Sequence, residues 1–134
     1  MKIALATLVS LVVAFAAITW LALEAGGVAI VETRGAGGSV RSTHVWFVES
    51  DGELWLEAGS PKNRWFADLA GDPRLVVRTE GRAASYVAER HDDPAPRARI
   101  RALLREKYGL RDRWVGLFVD QSKSLVVRLV PAGP

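Results

Sequence analysis

The chain has 134 residues, 49% of them hydrophobic, with 18 basic and 15 acidic residues and a net charge of +3. That length allows one small domain, and so mild a charge is no nucleic-acid footprint, so no nucleic-acid partner is expected. Cysteine is absent, which excludes disulfides, thiolate metal sites and cysteine nucleophiles; two histidines, His44 and His91, are too few and too far apart for a metal centre, so none is expected.

Ile3 to Leu23 carries no charge. Twenty-one helical residues at about 1.5 Å each match the roughly 30 Å core of a bilayer. Trp20 stands near one end, where an interfacial indole belongs. The expectation is a transmembrane anchor over residues 1–25 and one domain over 26–134, with the lipid bilayer as a partner. A cleaved signal peptide is the main alternative and a buried helix the third. Against the signal, the apolar run exceeds the usual 7–15 residues and no clean A-x-A site precedes Gly26. Lys2 lies on one side and Arg34 on the other, a small bias that favours the N-terminus inside and the domain outside. Removing residues 1–24 takes away one Lys and one Glu, so the remainder keeps the +3.

Val28–Thr33 reads as a first strand, β-branched and largely apolar. Residues 34–39 (RGAGGS) form a glycine-rich loop. Thr43–Glu49 and Glu53–Ala58 are strands joined by Ser50-Asp51-Gly52, a hairpin in which Gly52 takes positive φ. Leu54 and Leu56 mark one aliphatic face; Trp55 stands between Glu53 and Glu57 on the other. Pro61–Leu69 reads as a helix that places Trp65, Phe66 and Leu69 on one side, ended by Gly71-Asp72-Pro73. Leu75–Thr79 and Ala83–Glu89 form a second hairpin around Glu80-Gly81. Asp93 is a good N-cap before Pro94, and Gly109 a good stop, for a helix with Ile100, Leu103 and Leu104 on one face. Residues 114–118 are ambiguous, and Ser124–Val130 is the last strand. This order predicts a mainly β (α+β) fold: a six-stranded antiparallel split β-barrel, with helices plugging its ends, after one N-terminal transmembrane helix. A β-sandwich is the alternative, and the two inserted helices weigh against it.

Two polar corners carry chemistry. Arg41, Ser42 and Thr43 follow the glycine loop, and a guanidinium, two hydroxyls and loop amides suit a phosphate. An ordinary loop-to-strand junction is the plainer alternative. Ser60, Lys62 and Asn63 stand before the helix, where its N-terminus attracts anions; a Ser N-cap with Pro61 at the first helical position explains them equally. Neighbouring strands of one hairpin bring both corners together, which favours a shared phosphate. Trp65 reads as core, while Trp46 remains open between core and ring stacking. His44 lacks a triad partner at recognisable spacing, and no catalytic side chain is assigned. Arg97, Arg101 and Arg105 line one helix face, solvated by default and otherwise facing anionic headgroups. Tyr108 and Arg111–Trp114 are placed over a pocket only as a guess.

The series Arg41-x-Thr43, Trp46-Phe47-Val48, Asp51-Gly52, Leu54, Ser60-x-Lys62, Leu69 and Asp72-Pro73-Arg74-Leu75 resembles the flavin-binding split β-barrels of the pyridoxamine-phosphate-oxidase-like superfamily. Val31-Glu32-Thr33-Arg34-Gly35 followed by Arg41-Ser42-Thr43 is similar to its deazaflavin-dependent nitroreductase and quinone-reductase branch. The resemblance spans roughly residues 28–130. It implies FMN or a deazaflavin (coenzyme F420) in a groove, often at the interface of a homodimer, and hydride transfer to a quinone, a nitro compound or a similar unsaturated substrate. Carried over residue by residue, Arg41 and Thr43 match the phosphate-binding strand start, Ser60 and Lys62 the second phosphate contact, and Trp65 the aromatic of the next helix. The chain departs from the branch at Ala36-Gly37-Gly38-Ser39, where a basic loop is usual, and at His44, where Pro is common. Each missing cation removes a charge-assisted hydrogen bond to an anionic tail. A cofactor-free barrel serving as a scaffold at the membrane is therefore the alternative function.

Overall fold

Two tight hairpins set the register of the sheet. Asp51 and Gly52 both have positive φ (54° and 77°), as do Glu80 and Gly81 (46° and 79°). Such two-residue turns match the twist of the strands they join. The computed structural model describes residues 1–24 and 26–133; Ala25, the last residue of the expected anchor, and Pro134 lie outside them.

The strands are β1 (Val28–Arg34), β2 (Val40–Ser50), β3 (Glu53–Ala58), β4 (Arg74–Thr79), β5 (Arg82–His91) and β6 (Leu125–Pro131). They close into an antiparallel barrel in the order β1-β2-β3-β6-β5-β4. The sandwich alternative is thereby excluded. β6 lies between β3 and β5, pairing Leu56 with Val127 on one side and Ala88 with Leu129 on the other. Four helices accompany the barrel: α1 (Lys2–Glu24), α2 (Arg64–Gly71), α3 (Pro94–Tyr108) and α4 (Leu110–Gly116).

Inside the barrel, Val31, Val45, Phe47, Leu56 and Val77 meet, and Trp65, Phe66 and Leu69 of α2 join the same cluster. A second cluster lies on the outside, where Ile100, Leu104 and Tyr108 of α3 cover Trp46, Val48, Trp55 and Val126. β2 therefore shows four consecutive buried residues, Val45–Val48, instead of alternation, because it is covered on both faces. Only α2 packs with the barrel interior; α3 lies across the outer wall, which corrects the expectation that helices plug the ends. Its Ile100 and Leu104 are fully buried, each contributing roughly 1.5–3 kcal/mol.

Two helix limits also differ from expectation. α2 begins at Arg64 with Asn63 as N-cap, so Ser60 and Pro61 lie in a preceding turn, where the Lys62 amide donates to Ser60 Oγ at 3.2 Å. Residues 110–116 are helical (α4), so 114–116 of the ambiguous segment are helix and 117–118 lie in the turn after it.

α1 is long and apolar enough to cross a membrane, a test that a signal sequence also passes. Only its Ala22 is buried, which weighs against the buried-helix alternative. Its C-terminal end is tied to the domain. Arg111 donates to Ala22 O at 2.8 Å and Gly26 O at 3.0 Å, answering late helix carbonyls with a cation. The Tyr108 hydroxyl donates to Gly27 O at 2.7 Å and accepts from the Phe47 amide at 3.1 Å.

Candidate functional site

A cleft of about 630 Å³ opens beside the barrel, within the range of cofactor pockets. β2 supplies Arg41, Ser42, Thr43 and His44; the corner after β3 supplies Ser60, Asn63 and Trp65. The two polar stretches separated in sequence thus share one wall. Further lining comes from Leu23 and Glu24 of α1, Trp46 of β2, Arg64 of α2, Val115 and Val119 in and after α4, and Glu57, Arg101, Gln121 and Ser124.

Arg41 is held by a residue that sequence reasoning missed. Its Nε donates to Asp68 Oδ2 at 2.9 Å, and Thr33 Oγ1 donates to the same oxygen at 2.8 Å. Burial pushes the Asp68 carboxyl up, but the bonds from Thr33 and Arg41 outweigh it and hold it below its ordinary value. Only Nε is committed among the described residues, so the terminal guanidinium nitrogens remain as donors. The signal for Asp68 was present: Thr33 and Arg41 are direct cross-strand partners, so one acceptor facing both is a geometric consequence.

Other expected members fall differently. Lys62 is exposed and does not line the cleft. The glycine loop lies outside it too: the Gly35 amide donates to Ser39 O at 2.8 Å and the Gly38 amide to Gly35 O at 3.1 Å, so these amides bind the loop rather than an anion. Trp65 is 3% exposed, a core residue whose edge reaches the cleft. The Trp46 ring stacks on Tyr108 at 4.2 Å, so its face is already occupied. Its buried Nε1 nevertheless has no partner, and Trp46 lines the cleft.

The far side is an ionic network. Arg101 donates to Glu57 Oε1 at 2.6 Å and to Asp112 Oδ1 at 2.5 Å, with all three side chains under 10% exposed. Gln121 Nε2 donates to Asp112 Oδ1 at 3.1 Å. Burial raises the Glu57 carboxyl above its ordinary value, although Arg101 beside it pulls the other way. This corrects the reading of Arg97, Arg101 and Arg105 as one solvated or headgroup-facing row, because Arg101 points inward. His44 pairs with Glu24 of α1, which makes it a link between strand and helix. No cluster of metal ligands occurs among the described residues.

A family model described as F420H(2)-dependent quinone reductase matches residues 11–119. The chain belongs to the F420H(2)-dependent quinone reductase family. That membership supports the enzymatic class, an oxidoreductase using a deazaflavin or a flavin. Solved structures share the reductase's fold at low identity. Rv2991, a conserved hypothetical protein of Mycobacterium tuberculosis, is 22% identical with a TM-score of 0.63, covering 88% of this chain and 80% of that one. A Listeria innocua protein described as a candidate pyridoxamine 5'-phosphate oxidase is 14% identical, TM-score 0.59, over 84% and 89%. A FAD-binding protein of Mesorhizobium loti is 15% identical, TM-score 0.59, over 84% and 86%. Among curated proteins, nothing matches.

Proposed function

We propose that the protein is a membrane-anchored reductase that holds a deazaflavin or FMN in the cleft and reduces a quinone or similar unsaturated acceptor. The observation that carries this reading is the convergence of Arg41, Ser42, Thr43, Ser60 and Asn63 on one wall. The residues suit a phosphate-bearing ring system. Arg41 is pre-oriented through Nε yet keeps terminal donors. The two lining carboxylates are already paired, Glu24 with His44 and Glu57 with Arg101. Glu57 thus meets an anion with its charge balanced by Arg101.

The cofactor, when bound, supplies the hydride chemistry. The chain's own residues bind and orient. Arg41, Ser42, Thr43, Ser60 and Asn63 hold the phosphate, and Trp65 supports the corner that carries Ser60 and Asn63. Lys62 stands outside this set. Leu23, Val115 and Val119 give the cleft an apolar wall suited to a lipophilic acceptor. The anchor is favoured by how α1 is held: Trp114 Nε1 donates to Thr19 Oγ1 at 3.0 Å, and Arg111 closes the helix end. A segment destined for removal needs no such bonds. The similarity to a solved domain-swapped dimer, at 19% identity, favours testing for a homodimer as well.

The test is titration of the detergent-purified full chain with F420 and FMN, followed by absorbance and fluorescence. Micromolar binding of one of them is expected. If neither binds at that level, the scaffold alternative replaces this reading.

A further inference from the structure

We infer that α4 and the turn after it lie within the bilayer beside α1, so the domain is embedded in the membrane surface rather than suspended above it. This rests on the reading of α1 as a retained span. Leu110, Leu117 and Phe118 are 79%, 71% and 59% exposed. Three large apolar side chains on one short segment are costly in water, and they adjoin the apolar surface of α1.

The depth follows from helix geometry. Phe118 packs edge-on against Phe15 at 5.1 Å between centroids, and Trp114 lies 5.6 Å from the same ring. Phe15 precedes Glu24 by nine residues, about 13 Å along the helix axis. The headgroup zone is only about 5–8 Å thick. With Glu24 at the polar boundary and Trp20 just inside it, where an indole prefers to lie, Phe15 is in hydrocarbon. Phe118, in contact with it, is in hydrocarbon too. The flanking charges agree. Arg113 is exposed next to this ridge, and a long cationic side chain reaches back to headgroups. Asp120 then returns the chain to water, accepting from the Ser122 amide at 3.1 Å. Since Val115 and Val119 of the same segment line the cleft, an embedded ridge puts the cleft's apolar wall level with the membrane. A bilayer-dissolved acceptor then reaches it sideways.

The absence of native cysteine makes the test clean. Single variants Leu8→Cys, Val40→Cys, Leu117→Cys and Phe118→Cys are labelled with an environment-sensitive fluorophore. The full-length chain is reconstituted in phosphatidylcholine–phosphatidylglycerol vesicles containing lipids spin-labelled along the acyl chain. Leu8 reports the N-terminal third of α1, inside its apolar run; Val40 opens β2 at the end paired with Arg34, away from the α1 junction. Quenching and a blue-shifted emission at 117 and 118, comparable to position 8 and lacking at 40, is the expected result. Quenching at 8 without quenching at 117 and 118 overturns the inference while the anchor stands. Loss of quenching at 8 removes the anchor reading and this inference together. Shielding of 117 from lipid, with label–label quenching that disappears on dilution with unlabelled chain, assigns the ridge to a second copy and overturns it as well. Leu117 is largely exposed, so it reports even if Phe118→Cys fails to fold.

Discussion

The two walls of the cleft are built by different means. The β2 wall uses one hairpin and the corner after it, Arg41–Thr43 with Ser60, Asn63 and Trp65, several of them partly exposed and with donors to spare. The second wall joins Glu57 of β3 to Arg101 of α3 and Asp112 of α4, almost fully buried and satisfied by one another. The first wall is arranged to meet a solute. The second is arranged to hold α3 and α4 against β3, and only its surface reaches the cleft. Polar residues around a pocket are thus not equivalent: those with unspent hydrogen-bonding capacity are the ones to assign to binding.

The largest expected effect falls on the second wall. Arg101→Ala leaves Glu57 buried without its cation and Asp112 with only the more distant Arg105 at 3.9 Å, which costs about 3–5 kcal/mol and lowers the melting temperature by roughly 10 °C or more. Thermal unfolding in detergent measures it. A variant that melts like the parent but no longer binds cofactor would break the comparison. Next comes Arg41→Ala, with cofactor affinity reduced on the order of 10- to 100-fold and a much smaller loss of stability. Lys62→Ala is the paired control and leaves affinity unchanged. Equal losses in the two variants, read by fluorescence titration, would redraw the cleft's boundary.

Asp68 gives a smaller, pH-dependent effect. Its folded carboxyl lies below the ordinary value, so its contribution is present above about pH 4 and lost as pH falls through the folded value. Asp68→Asn removes charge-assisted bonds worth about 1 kcal/mol or slightly more at pH 7. The variant shows correspondingly less acid destabilisation in urea unfolding between pH 7 and pH 3. Lys107 responds to pH at the alkaline end. Burial lowers its ammonium to about 8, beneath the ordinary 10.5, while its Nζ donates to Phe47 O at 2.8 Å. Between those values the unfolded chain binds more protons, so stability rises with pH across that window. Lys107→Met flattens the rise, as denaturant midpoints at pH 8 and pH 10 will show.

Much of the barrel was legible because its signals are local. Asp51-Gly52 and Glu80-Gly81 announce two turns, and Leu54 and Leu56 identify the inward face of β3. The same holds for Arg41, Ser42, Thr43, Ser60 and Asn63, which adjacent strands of one hairpin bring together. Pro61 suggested a helix start three residues too early. In the structure Pro61 belongs to a turn, and Lys62 stands away from the cleft. Arg101 was misread because spacing reveals which face a residue shares, not whether acceptors await it from β3 and α4. Asp68 went unnoticed because its role depends on α2 docking over a strand pair, a contact between residues 27 and 35 positions apart.

The place of β6 has a consequence for the order of events during synthesis. Leu125–Pro131 is the last strand made, yet it joins β3 to β5 and completes the ring. Until it emerges, both neighbours carry open hydrogen-bonding edges, the usual sites of intermolecular pairing. Contacts between residues about 70 apart also form slowly, because a long loop must close first. The nascent domain therefore waits, two edges unsealed, for its final seven strand residues. A stop codon at Leu125 deletes ten residues, about a thirteenth of the sequence, yet it opens the sheet on both sides of the gap.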